Sequence, residues 1–112
     1  MPFQYDLTTK NDVSIITLMG ELRIFDLADY TSFFEEQIAN GKVKIIINFE
    51  KITYIDSTAI GLLVNIKRNI EEKGGRLTLI SVKPDVMNVL QITGINQFLD
   101  IYDSLETAMA SY

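Results

Sequence analysis

Apolar residues crowd almost without interruption into "KVKIIINF" at positions 42–49. That is the pattern of a central strand buried on both faces. The stretch before it is patterned differently. "FQYDLTT" alternates weakly and reads as a strand, "KND" as a turn, and "VSIITLMG" as a second strand. In the second strand Val13, Ile15 and Thr17 lie on one face, and Ile16 and Leu18 on the other. Strands joined by so short a turn form an antiparallel hairpin.

Helical spacing begins after "GEL". Leu27, Tyr30, Phe34 and Ile38 make a stripe. Asp26 is the expected N-cap, Asp29 falls in the first turn, and Asn40-Gly41 is the expected stop. "EKITYID" leads from the central strand into a second helix at about 57–73, closed by Gly74-Gly75. "RLTLIS" is the next strand, and a strand, helix and strand in this order give a parallel pair. Pro84 opens a third helix with Val86, Val89 and Leu90 inward, and Gly94 stops it. "FLDIYD" reads as a short edge strand. Asp103 or Ser104 then caps a last helix, with Leu105, Ala108, Met109 and Tyr112 as its stripe. The expectation is a single α/β domain over residues 1–112: a mixed β-sheet with a leading antiparallel hairpin and about four α-helices.

Composition narrows the chemistry. Of the 112 residues, 47% are hydrophobic, which is ample for a core. The net charge of −5 disfavours nucleic acid and an anionic membrane surface as partners. No apolar run approaches a membrane span and the first residues are no signal peptide, so a cytoplasmic protein is expected. The chain has neither cysteine nor histidine. That removes disulfides, thiolate metal sites and the Ser-His-Asp and Cys-His catalytic groups. Neither common glycine-rich nucleotide cradle occurs. Glu35-Glu36 and Glu71-Glu72 are helix neighbours that do not face each other, so each reads as a solvated face. Asp26, Asp29 and Asp56 could converge on a magnesium ion, but capping and loop solvation are the simpler account. No enzyme activity, cofactor or metal is expected.

"YIDSTAIGLL" at 54–63 stands apart. Ser57 reads as an N-cap, but it also lies at the carboxyl end of a buried strand, where open α/β sheets present their sites. A phosphate on it would meet free amides and the positive end of a helix dipole. The helix has apolar residues to spare. Ala59, Leu63, Ile66 and Ile70 suffice to pack it on the sheet, yet Ile60 and Val64 lie off that stripe with Gly61 farther round. Two accounts stand side by side: a second layer of core, or a docking face where Gly61 permits close approach.

These residues resemble the STAS domain of bacterial anti-sigma-factor antagonists. "YIDSTAIGLL" with "KIIINFEKIT" before it and "EEKGGRLTLIS" after it carries the resemblance, together with the early "LMGEL" and the late "ITGI". The resemblance implies that Ser57 is phosphorylated by an anti-sigma factor that is itself a serine kinase, with Asp56 and Thr58 as its neighbours. Unphosphorylated, the protein would bind that partner and release a sigma factor, and a phosphatase would reset it. Ile60, Gly61, Val64 and Arg23 are the expected partner-binding residues. Arg23 stands where the family often has Asp or Asn, so it either makes the field at Ser57 less negative or pairs with a phosphate there. Ala59 replaces the family's usual glycine and suits a helix better. The alternatives are a STAS subunit of a signalling scaffold or transporter-associated complex, and a small enzyme or nucleotide-binding domain. A receiver-like domain phosphorylated on Asp56 would not begin with a hairpin.

Overall fold

The computed structural model describes residues 4–112. Phe3, expected to open the first strand, lies outside them. β1 (Tyr5–Lys10) and β2 (Val13–Leu22) form the antiparallel hairpin. Its two turn residues, Asn11 and Asp12, have φ of 51° and 68°. Positive φ at both central positions gives the turn whose twist matches that of paired strands. β3 (Lys44–Ile55), β4 (Arg76–Ile80) and β5 (Asp100–Tyr102) follow, each parallel to the strand before it. The sheet order is β1-β2-β3-β4-β5. The helices are α1 (Leu27–Ala39), α2 (Ser57–Glu72), α3 (Pro84–Ile92) and α4 (Leu105–Ala110).

Alternation along the strands divides the core in two. Ile45 and Ile47 of β3, with Ile16 and Leu18 of β2, join Tyr30 and Phe34 of α1, Leu63 and Ile66 of α2 and Leu90 of α3 in the main cluster. Ile46 points the other way and joins Val13, Ile80 and Ala108, with Met109 and Tyr112 packed against them. Three helices therefore cover one face and α4 the other. Tyr112 anchors that second face. Its hydroxyl donates to the Ile45 carbonyl and lies 3.1 Å from the hydroxyl of the fully buried Thr78. Gly75 is a packing requirement. A Cβ there would fall 2.1 Å from the Val43 carbonyl oxygen, whose backbone pairs with Arg76.

Several local expectations are corrected. β3 does not end at Phe49 but runs on to Ile55, because Ile52 and Ile55 are buried and β2 continues to pair with it. Pairing with β4 stops at Asn48, so this extension has a neighbour on one side only. Asp26 precedes α1 as expected but makes no capping hydrogen bond. A short 3-10 turn at Ile24–Asp26 leaves its backbone already helical. Asn40 keeps a negative φ, and Gly41 alone takes the left-handed turn. Ser104 caps α4 by accepting the Thr107 amide, but Leu105 is exposed and leaves the α4 stripe.

Candidate functional site

The extended half of β3 delivers the chain to the start of α2. Asp56 is held there in extended conformation on three sides. Its amide donates to the Leu22 carbonyl at 3.3 Å, which ties it to the end of β2. Its carbonyl accepts the Ile60 amide, the first bond of the helix. Its carboxylate Oδ1 accepts the Ala59 amide at 2.9 Å. The N-cap is therefore Asp56, not Ser57 as the sequence suggested. Both residue types cap well, and the backbone decides between them: position 56 is extended and position 57 is the first residue of α2.

Ser57 and Thr58 are thus released from capping, and both are exposed. Gly61, one turn further on, is exposed as well. A Cβ at Gly61 would meet nothing within 4 Å, so the protein's own packing does not require glycine here. Val64 is half-buried. Ile60 is different, and its place on a docking face is corrected. It is 3% exposed and belongs to the main core cluster. The wide apolar arc of α2 is therefore core at Ile60, half-buried at Val64 and open surface at Gly61.

Arg23 follows the last residue of β2. Its Nε donates to Glu21 at 2.6 Å, and its guanidinium lies 4.5 Å from the centre of the Tyr54 ring. The hydrogen bond and charge of Glu21 raise the Arg23 pKa, opposed by desolvation, with smaller upward contributions from Tyr54 and Asp56. The same hydrogen bond holds the Glu21 carboxyl below its ordinary range. The pair is exposed and its ion-pair energy is small. Its effect is placement: a cation rests on an aromatic face beside the acid that caps α2.

Two residues of this region were not singled out from the sequence. Tyr54 is 42% exposed and Phe25 is 90% exposed. An aromatic inside the predicted lead-in to a helix was the available signal for Tyr54. Phe25 could be noticed only as an apolar residue outside the α1 stripe.

Among the described residues no group of three or more acidic side chains is placed to hold a metal, so Asp26, Asp29 and Asp56 are not brought together as a metal site. A groove of about 290 Å³ between α1 and α2, lined by Thr31, Glu35, Asn65 and Arg68 among others, contains none of the residues expected to carry phosphate or bind a partner. No helix among the described residues is long and apolar enough to cross a membrane.

Residues 4–108 match the family model described as STAS domain. An anti-sigma F factor antagonist of Lysinibacillus sphaericus is 30% identical over 100 residues, which cover 88% of this chain and 85% of that one. The crystal structure of TM1081 from Thermotoga maritima superposes with a TM-score of 0.89 at 30% identity, covering 96% of this chain and 92% of that one. The anti-sigma factor antagonist SpoIIAA in its unphosphorylated form gives a TM-score of 0.72 at 25% identity, covering 97% and 94%. Bacillus SpoIIAA in its phosphorylated form gives 0.71 at 26%, covering 97% of each chain.

Proposed function

The chain belongs to the STAS domain family, and from that premise we propose that it works as an anti-sigma factor antagonist switched by phosphate on Ser57. In the unmodified state it binds an anti-sigma factor and so frees a sigma factor. The partner is also the kinase. It brings the nucleotide and the base, so the Ser57 hydroxyl oxygen takes the γ-phosphoryl group while the nucleoside diphosphate leaves. A phosphatase restores the hydroxyl. The protein has no turnover of its own and acts in the cytoplasm, where sigma factors work.

The observation that carries this reading is the exposure of Ser57 at the first position of α2, with the capping bond already made by Asp56. A hydroxyl that caps a helix is tied to the backbone, whereas this one is open to a kinase. The relatives support the same reading, since SpoIIAA is known in both unphosphorylated and phosphorylated forms.

The physics of the switch is local. Phosphate adds about 1.5 to 2 negative charges and three acceptor oxygens. The amides and dipole at the start of α2 tolerate that charge, and Arg23 offsets the repulsion from Asp56. A partner packed over Gly61 and Val64 has to desolvate the phosphate, and that is costly without cations to pair it. The effect falls on affinity rather than on the fold.

The test is calorimetry of the anti-sigma factor against unmodified and Ser57-phosphorylated protein, with thermal unfolding of each. Phosphorylation is expected to weaken binding by at least tenfold with little change in Tm. Ser57→Ala should bind like the unmodified protein and take no phosphate. Equal affinities, or a phosphate found only on Thr58, would overturn the proposal.

A further inference from the structure

β1 is the open edge of the sheet, and all six of its residues are exposed. The hydrogen bond from the Met19 amide to the Gln4 carbonyl fixes which backbone groups face outward. Residues exchanging such bonds alternate along an antiparallel pair. Asp6, Thr8 and Lys10 therefore turn their amides and carbonyls toward β2. Leu7 and Thr9 turn theirs away from it, into solvent. Edges of this kind invite another strand unless charge or shape opposes it.

Here one register favours it. If two copies of β1 run antiparallel about a two-fold axis at Thr8, Leu7 of one copy faces Thr9 of the other. Their outward amides and carbonyls then exchange hydrogen bonds. Asp6 stands opposite Lys10 at both ends, in the closer, non-hydrogen-bonded type of pair, so each copy's acid meets the other's base. The neighbouring registers lack this match. An axis at Leu7 sets Asp6 against Thr8, and an axis at Asp6 sets it against itself. The opposite face also gains. Leu7, 40% exposed, comes diagonally against the second Leu7.

We propose that this protein self-associates through β1, antiparallel and centred on Thr8, to give one continuous ten-stranded sheet. The contact is short, so the dimer is weak. β2 lies between this edge and β3, so association leaves the start of α2 open. The inference does not depend on phosphorylation.

Sedimentation from about 10 µM to about 1 mM tests it, combined with NMR of the β1 amides over the same range. Reversible dimerisation is expected, with the Leu7 and Thr9 amides gaining protection as concentration rises. Asp6→Lys or Lys10→Asp alone enters the contact twice and should weaken association by roughly tenfold. The double exchange D6K/K10D should restore it to within about threefold. Within the hairpin Asp6 faces Thr17 and Lys10 faces Val13, so neither change breaks an internal charge pair. A protein monomeric throughout this range overturns the proposal, as does a dimer indifferent to both single reversals. Protection of Leu7 and Thr9 that appears only with a different protein would assign the edge to that partner, and also overturns it.

Discussion

The Asp56 carboxylate holds the Ala59 amide at 2.9 Å, so an acid, and not the serine beside it, closes the first turn of α2. Stability and the proposed modification are thereby divided between adjacent residues. Asp56→Ala should cost about 1 kcal/mol, a fall in Tm of several degrees for a domain of this size. Asp56→Asn should retain most of the cap. Ser57→Ala should stay within about 0.5 kcal/mol of the parent. Urea unfolding of the three variants measures the division directly.

Ile60 and Gly61 are neighbours in opposite surroundings, one in the core and one on the surface. Ile60→Asp buries a charge in the main core, and should unfold the protein or destabilise it by several kcal/mol. Gly61→Ala should stabilise α2 by up to about 1 kcal/mol, because a helical glycine is costly and the added methyl group meets nothing. Partner affinity of Gly61→Ala should nonetheless fall about tenfold, because the added methyl group blocks close backbone approach on the proposed docking face. Val64→Asp should also lose affinity while remaining folded. Circular dichroism and calorimetry on the same samples separate the effects.

Arg23 should be felt by a phosphate on Ser57. A nearby cation favours the doubly charged phosphate and lowers its second pKa from the ordinary value of about 6. Arg23→Gln should therefore raise that pKa, by several tenths of a unit or more. Phosphorus NMR through a pH titration of Ser57-phosphorylated protein gives the value. An identical pKa in both proteins would mean that Arg23 serves only Glu21 and Tyr54.

Tyr30 sets an alkaline limit. It is 3% exposed, and burial, with Asp26 and Asp29 adding to it, pushes its pKa up to about 12. The folded state keeps the phenol protonated where the unfolded chain, near its ordinary value of about 10, has lost the proton. This contribution to stability is complete below about pH 10 and is lost as pH rises toward 12. Tyr30→Phe should flatten the decline of stability between pH 10 and 12, as measured by denaturant unfolding at each pH.

Much of the fold was legible because its signals are local. The stripe of α1, the unbroken run of β3 and the hairpin turn each follow from residue type and spacing over a few positions. What was not legible depends on neighbours distant in sequence. The second half of β3 carries Glu50, Lys51 and Thr53 and resembles a connection, yet β2 pairs with it through two register shifts. The sequence points to Ser57 as the cap, and only the bond from the Asp56 amide to Leu22 fixes the extended backbone that moves the cap to Asp56. Ile60 and Val64 both lie off the main stripe of α2, and only packing around the helix buries one more deeply than the other. The candidate site is read from the sequence as a segment, 56–58 with Gly61, whereas the Tyr54 platform under Arg23 exists only where β2 and β3 run side by side.

The sheet order has a consequence for how the chain reaches this state. Strands stand side by side in the order in which they are synthesised. Each new strand finds its template at the growing edge, and no pair already formed has to part to admit a later one. The hairpin closes over a two-residue turn, a fast local event, and the first non-local closure is β3 against β2. With β3 in place, its long run of isoleucines is paired on one side while the next strand is still being made. On the ribosome the sheet can therefore grow in one direction, and the segment most prone to aggregate is exposed on only one edge while it waits.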